Sequence, residues 1–390
     1  MDAVLDESVI RFRNELRDWF SASLPEGWHD GECAYLDDPR ALASFHRSWQ
    51  KKLYDAGLAA IAWPEQYGGR GADLTSQVVF EEERRRFRAP GELNVFATRM
   101  AGPMLIEHGS QQQKDKHLRA MLEGTHIWAE GFSEPDAGSD LAALRTTARK
   151  GQEGSFVVNG QKVWTSRAGE ADFILLLART NQDVPKHRGI SAFIVDAKTP
   201  GISMRPITQI TGEQDFYEVF YDDVVVPAEN LVGMIDHGWE IAVSTLLHER
   251  LAVSWIFDLE NMLDVLHVDM NRRAAFGTNA DYKMADLFAR VYATKLFYLR
   301  AVDEQSAAGE PSNAGALVKL LTSELAQSVA KFGMSRALFG ELDTELGRAR
   351  PNVPNSWTFE YLDAFRQTIA GGTSEIMRNI VGERGLGLPR

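Results

Sequence analysis

Apolar residues recur at helical spacing through the first third of the chain. Val9, Phe12, Leu16 and Trp19 fall three or four residues apart and predict a helix over 6–24, ended by Pro25, Glu26 and Gly27. Leu42, Phe45, Trp49 and Leu53 predict a second helix over 40–57. The WPEQYGGRG stretch at 63–71 reads as a turn-rich loop. Helical patterns return over about 74–88 and 99–123.

From about 126 the period shortens to that of strands. Phe156, Val157 and Val158 precede Asn159-Gly160, and Lys162, Val163 and Trp164 follow. This predicts a tight hairpin at 159–160, because both turn residues tolerate positive φ. FILLLA at 173–178, ISAFIV at 190–195, ISMRPI at 202–207 and VFYDDVVV at 219–226 predict further short strands in an antiparallel barrel or sandwich. After Pro227 helical patterns resume. One runs over 237–269 without proline, Met284, Leu287, Phe288 and Val291 mark another, and Leu317, Leu321, Leu325 and Phe332 mark a third. Helices, then strands, then helices argue for an α+β protein. The boundaries read as a helical domain at 1–125, a β-domain at 126–235 and a helical-bundle domain at 236–390.

Composition excludes several classes. With 390 residues, 44% of them apolar and 25% charged, the chain has ample material for a globular core. A net charge of −13 makes it a poor partner for nucleic-acid phosphates or anionic lipid. The single cysteine, Cys33, leaves no intrachain disulfide and no cysteine-built metal centre. No run approaches the ~18 apolar residues of a membrane span. The acidic start MDAVLDESVIRF lacks the marks of a secretory or transit peptide, so a cytoplasmic location is expected. No P-loop, Rossmann fingerprint, HExxH or GxSxG occurs, and the nine histidines lack metal-ligand spacing. EEERRR at 81–86 reads as a solvated helix face with i,i+4 pairs, and Asp222-Asp223 as a turn or strand edge.

Three segments suggest chemistry. FSEPDAGSD at 132–140 gathers small and hydroxyl residues in one loop, which suits a flat or anionic ligand or simply a polar barrel loop. KVWTS at 162–166 sets an indole beside two hydroxyls. It can cover a planar ligand and reach its polar edge, or Trp164 can be a core residue. At 371–374, Gly-Gly-Thr-Ser precedes an apolar-periodic run, so Thr373 or Ser374 caps a helix whose N-terminus also suits phosphate.

Together with GLAAIAWPEQYGGRG, NVFATRMAGPMLIEHGS, FSEPDAGSDLAALRT, NGQKVWTSRAGEADFILLLART, FYDDVVVPAENLVG and GGTSEIMRNIVGERGLGLPR, these segments resemble the acyl-CoA dehydrogenase family in order and spacing over nearly the whole chain. Bacterial members, including those acting on bulky acyl chains such as steroid side chains, are the most similar. The resemblance implies a helical N-terminal domain, a middle β-barrel or sandwich and a C-terminal four-helix bundle. It implies noncovalent FAD bound without a Rossmann fold. Phe132, Ser133, Gly138 and Ser139 match the loop touching flavin and substrate, and Trp164, Thr165 and Ser166 the segment beside the isoalloxazine ring. Thr373 and Glu375 match C-terminal FAD contacts. Arg273 loosely matches an arginine reaching the FAD of a neighbouring subunit, because the stretch after it is shorter than usual and the family's later glutamine-glycine contact is replaced around Leu338–Gly340.

The implied reaction is α,β-dehydrogenation of an acyl-CoA thioester. A base takes the α-proton, hydride passes from the β-carbon to the flavin, and electrons leave to an electron-transfer flavoprotein. The thioester oxygen would meet a ribityl hydroxyl and the Gly371 N–H. Many members carry the base glutamate where this chain has Gly371. The family's second solution puts a glutamate before an arginine on a C-terminal helix, and LLHERLAV at 246–253 supplies Glu249 and Arg250. Glu249 is therefore the expected base, with Arg250 beside it or at the substrate; the plainer reading is a solvated Glu-Arg pair. His248 reads as a packed or hydrogen-bonded histidine. Arg167 stands either near the flavin or in a surface ion pair. Three functions stay open: a dehydrogenase, a flavin-dependent oxidase or monooxygenase on the same fold, and an FAD-binding non-catalytic subunit of a heteromer. The expected assembly is a homodimer, homotetramer or heterotetramer. No metal is expected.

Overall fold

A computed structural model describes residues 6–28, 39–251, 255–272, 278–308, 314–336 and 357–389. Cys33, Arg273 and Leu338–Gly340 lie outside the described residues. In chain order the helices are α1 (Glu7–Ser23), α2 (Pro39–Asp55), α3 (Leu74–Arg86), α4 (Gly102–His108), α5 (Gln111–Glu123), α6 (Gly238–Leu251), α7 (Trp255–Arg272), α8 (Thr278–Ala308), α9 (Ala314–Arg336), α10 (Trp357–Gln367) and α11 (Ser374–Ile380). Between α5 and α6 come β1 (Trp128–Gly131), β2 (Thr147–Lys150), β3 (Phe156–Ser166), β4 (Phe173–Arg179), β5 (Ile190–Asp196), β6 (Ile202–Ile207), β7 (Phe216–Val226) and β8 (Leu231–Val232). The α+β order of helices, strands and helices is the expected one. The chain forms two compact units: Met1–Trp49 with Gly71–Gly91 and Arg250–Arg390, and Gln50–Arg70 with Glu92–Glu249.

In the first unit, α1 starts where the Asp6 side chain accepts from the Ser8 N–H, and stops at Leu24 ahead of Pro25. Its buried stripe, Leu16 and Phe20, packs into an aromatic cluster with Trp49, Phe80 and Phe87. A second core joins α7, α8 and α9 through Leu263, Leu266, Leu287, Val291, Leu325 and Val329, with Val78 of α3. The charged run at 81–86 is not the solvated face its composition suggests. Glu81, Glu83 and Arg84 are buried, because α3 packs against α1, α7 and α8. Its charges survive burial by pairing. Arg84 forks onto Glu81 at 2.7 and 3.0 Å, and Arg17 onto Glu83 at 2.8 and 2.9 Å. Asp258 of α7 pairs with Arg85.

In the second unit, the helical stretch at 99–123 is two helices. A π turn at Ala97–Ala101 leads into α4, the chain breaks at Gly109, and Ser110 opens α5 with a reciprocal capping box to Gln113. The strands form one eight-stranded sheet in the order β6-β7-β3-β2-β4-β5-β8, with β1 paired to β4. Most pairings are antiparallel as expected, but β1 and β2 both run parallel to β4. β5 takes one edge of β4, and β1 and β2 share the other.

The hairpin expected at Asn159-Gly160 does not form. The two residues lie inside β3, and the turn falls earlier, at 151–155 between β2 and β3. Gly160 is required by a close approach: a Cβ there would sit 2.7 Å from Thr146 Cα. The left-handed residue is on the neighbouring strand, where Asp223 at φ +48 forms a bulge in β7 opposite Asn159. The Asn159 amide holds that bulge, donating to Asp223 Oδ1 at 2.9 Å and accepting the Asp223 N–H at 3.0 Å. Asp222-Asp223 is thus an irregularity of a strand. Among the described residues no helix is long and apolar enough to cross a membrane.

Candidate functional site

The 132–140 loop is fastened to β3 by its own backbone. Lys162 Nζ donates to Phe132 O at 2.9 Å, and the Val163 N–H to Ser133 O at 2.9 Å. Glu134 and Ala137 exchange both backbone hydrogen bonds and close a tight turn. The Glu134 carboxylate then accepts from Lys162 Nζ at 2.8 Å and from the N–H groups of Arg145 and Thr146 at 2.6 and 2.9 Å. Burial alone would push the Glu134 carboxyl up; the charge and hydrogen bond of Lys162, with those two backbone donors, hold it below the ordinary carboxylate range. Burial pushes the Lys162 ammonium down to about 8 against the pull of Glu134. Phe132 is buried, Ser133 half-buried, and Gly138 and Ser139 are exposed. Neither Glu134 nor Lys162 is picked out by the motif alone. The available signal is a lysine at an inward position of a strand.

A second bulge re-aims the indole. Lys162 pairs with Val219 and Thr165 with Tyr217, so β3 carries one extra residue between them. Trp164 takes the left-handed conformation at φ +61 and stands 58% exposed, edge-on to Phe216. The core reading of Trp164 is therefore wrong. Next to it, Thr165 is fully buried and its hydroxyl has no hydrogen-bond partner among the described residues, while Ser166 is exposed. Arg167 is half-buried and makes an ion pair: it donates to Leu93 O at 2.9 Å and pairs with Glu170 at 2.5 Å.

In the first unit the C-terminal segment makes a turn through two left-handed glycines, Gly371 at φ +65 and Gly372 at φ +96. Thr373 is the N-cap of α11, its hydroxyl accepting the Ile376 N–H at 3.2 Å, and Ser374 is the first helical residue. Glu375 is exposed; its own N–H and the Thr373 hydroxyl hold its carboxyl below the ordinary range. Lys319 of α9, also missed by sequence reasoning, is buried and donates to Gly372 O at 2.6 Å. Its signal was a lone lysine in the apolar stretch AGALVKLL. Glu249 and Arg250 are successive residues of α6, with their side chains outside the described set. Among the described residues no cluster of histidine, cysteine and carboxylates could hold a metal ion.

The exposed indole of Trp164, on a strained strand fastened to the 132–140 loop, presents an aromatic face that suits a flat ligand. The isoalloxazine of FAD is a ligand of that shape. The sequence matches the acyl-CoA dehydrogenase N-terminal domain over residues 10–125, the middle domain over 129–224 and the C-terminal domain over 236–386. Acyl-CoA dehydrogenase IpdE1 of Mycobacterium tuberculosis is 34% identical over 98% of this chain and 99% of its own. Among solved structures, the Tcur3481-Tcur3483 steroid ACAD superposes with a TM-score of 0.85 at 28% identity, covering 100% of both chains. The ChsE4-ChsE5 complex of Mycobacterium tuberculosis gives 0.83 at 30% identity, again over 100% of both. The chain belongs to the acyl-CoA dehydrogenase family of FAD-binding flavoproteins.

Proposed function

We propose that this protein catalyses α,β-dehydrogenation of an acyl-CoA thioester, with Glu249 as the base and an electron-transfer flavoprotein as electron acceptor. When bound, FAD supplies the hydride acceptor. The observation that carries the assignment of the base is Gly371. The family's common carboxylate position holds a glycine here, in a left-handed turn that favours glycine, and so lacks a proton acceptor. Glu249, directly before Arg250 on α6, is the carboxylate that fits the alternative placement.

The α-proton of a thioester is a far weaker acid than a carboxyl group. A carboxylate removes it only where the enolate oxygen meets fixed donors and where the base is desolvated. The Gly371 N–H is the donor in this reading, and Arg250 neighbours the base or contacts substrate. Phe132, Ser133, Gly138, Ser139, Trp164, Thr165, Ser166, Thr373 and Glu375 hold the cofactor, Arg273 reaches the FAD of a neighbouring subunit, and Ser139 also meets the acyl thioester. The word steroid in the name of one similar structure supports a bulky acyl group. The two-chain complexes among the similar structures support an assembly of two or more chains.

The test is anaerobic titration of the purified chain with acyl-CoA thioesters of increasing bulk, beside Glu249→Gln. Bleaching of the flavin absorbance in the wild type, and its loss in a variant that keeps FAD, is the expected result. A yellow protein that no thioester bleaches overturns the reading. A colourless chain that gains flavin only with a second subunit identifies a member of a heteromer.

A further inference from the structure

In the first unit a cavity of about 460 Å³ opens between the end of α3, the first half of α7 and the middle of α8. That is room for a small organic molecule. Phe257, Leu263, Phe288 and Val291 give it an apolar wall, and Tyr292 joins them with its side 59% exposed.

Most of the charges lining the cavity are satisfied by one another. Lys295 Nζ donates to both Glu260 oxygens, at 2.8 and 3.0 Å, and lies 3.5 Å from Glu82, which also accepts from Arg13 at 2.8 Å. Arg85 pairs with Asp258. Three groups are left over. Arg86 and Arg88 are exposed, and their guanidinium groups have no hydrogen-bond or ion-pair partner among the described residues; the same holds for the Asp264 carboxylate.

Arg88 also stands at a strained position. It follows Phe87, the C-cap of α3, and its backbone is left-handed at φ +49. Glycine is the common residue there, because a Cβ is crowded in that conformation. The end of a helix favours cations, but Arg84, Arg85 and Arg86 already occupy the last turn. The helix dipole therefore does not call for a fourth arginine at a position that strains it. An anion held by Arg86 and Arg88 together does, since paired guanidinium groups bind phosphate and carboxylate oxygens strongly.

We infer that this cavity binds a small planar organic anion. The ring lies against Tyr292 and Phe288, the phosphate or carboxylate meets Arg86 and Arg88, and Asp264 accepts from a hydroxyl or amino group of the ligand. None of these residues belongs to the cofactor or substrate set given above, so the inference does not depend on the dehydrogenation reading.

The test is isothermal titration calorimetry of the FAD-bound protein with adenosine 5′-diphosphate and, separately, with 2-naphthoate. Saturable binding of at least one is expected, and which one binds tells a nucleoside phosphate from an aryl carboxylate. Arg86→Ala and Arg88→Gly should each weaken it about tenfold or more, the loss of one charge-assisted contact. Tyr292→Ala should weaken it about threefold to tenfold. Arg88→Gly should fold at least as stably as the wild type, because glycine takes that backbone freely, so its lost binding is not a lost fold. Arg149→Ala, at an exposed arginine of β2, should bind as the wild type does. A wild type that takes up neither probe, or binding that Arg86→Ala and Arg88→Gly leave unchanged, overturns the proposal. So does an equal loss in Arg149→Ala, which would make the attraction one of general charge.

Discussion

Lys162 and Glu134 form a buried ion pair, 2.8 Å from Nζ to Oε1, with the lysine side chain fully buried and the glutamate 8% exposed. The pair joins β3 to the loop at 132–140, two residues before Trp164. Removing either partner leaves the other charge buried without its counterpart. Glu134→Gln and Lys162→Met should each cost about 3 kcal/mol, and the double variant should recover part of the sum. Because the Glu134 carboxyl is held below its ordinary value, its contribution is present above that value and is lost as the pH falls through the folded one. Urea unfolding of the three variants, with flavin content measured alongside, checks this. Additive losses would show that the two side chains act independently.

Trp164 separates stability from ligand binding. An exposed indole contributes little to the core, but its left-handed backbone carries strain of about 1–2 kcal/mol that glycine does not feel. Trp164→Gly should therefore be more stable than Trp164→Ala by about 1 kcal/mol. Both should release FAD at least about tenfold more readily, as expected for losing an aromatic face on a planar ligand. Thermal melts of the FAD-free protein and flavin fluorescence on dilution give the two quantities separately. An alanine variant that keeps FAD as tightly as the wild type would remove the indole from the cofactor surface.

How far the sequence reveals this architecture depends on what each residue needs to know. Val9 and Leu16 are local signals: their spacing alone marks the buried stripe of α1, and the structure buries both, with Phe20 completing the stripe where the pattern had the half-buried Trp19. Asn159-Gly160 carries an equally strong local signal and misleads, since the amide of Asn159 is spent on Asp223, 64 residues away. The charges at 81–86 mislead for a related reason. Whether Glu83 faces water depends on Arg17 and on helices far along the chain. Trp164 sits correctly in its motif, but the side it faces is set by a bulge that no alternation pattern announces. Lys162 and Lys319 escape notice because lysine is among the residues least often fully buried. Only the packing around them shows that each is a fastening between distant segments.

His117 should make the fold sensitive to acid. It is buried between Trp128 and Phe173, edge-on to both rings, with Nδ1 3.4 Å from Nδ1 of His126. Burial, then the charges of Lys116 and His126, push its pKa down to about 3. The unfolded imidazole takes a proton near its ordinary 6.5, whereas the folded one refuses it until about 3. Between those values the unfolded state binds the extra proton, so stability falls as the pH drops, by up to about 1.4 kcal/mol per pH unit. His126, also lowered by burial, adds in the same direction. His117→Phe keeps a ring against Trp128 and Phe173 and removes the proton site. Denaturation midpoints at pH 7 and pH 5 should then differ less in the variant than in the wild type, by about 1–2 kcal/mol of unfolding free energy. Equal differences in the two proteins would mean that His117 titrates as it does in the unfolded chain, and that the packing around it does not exclude the charged form.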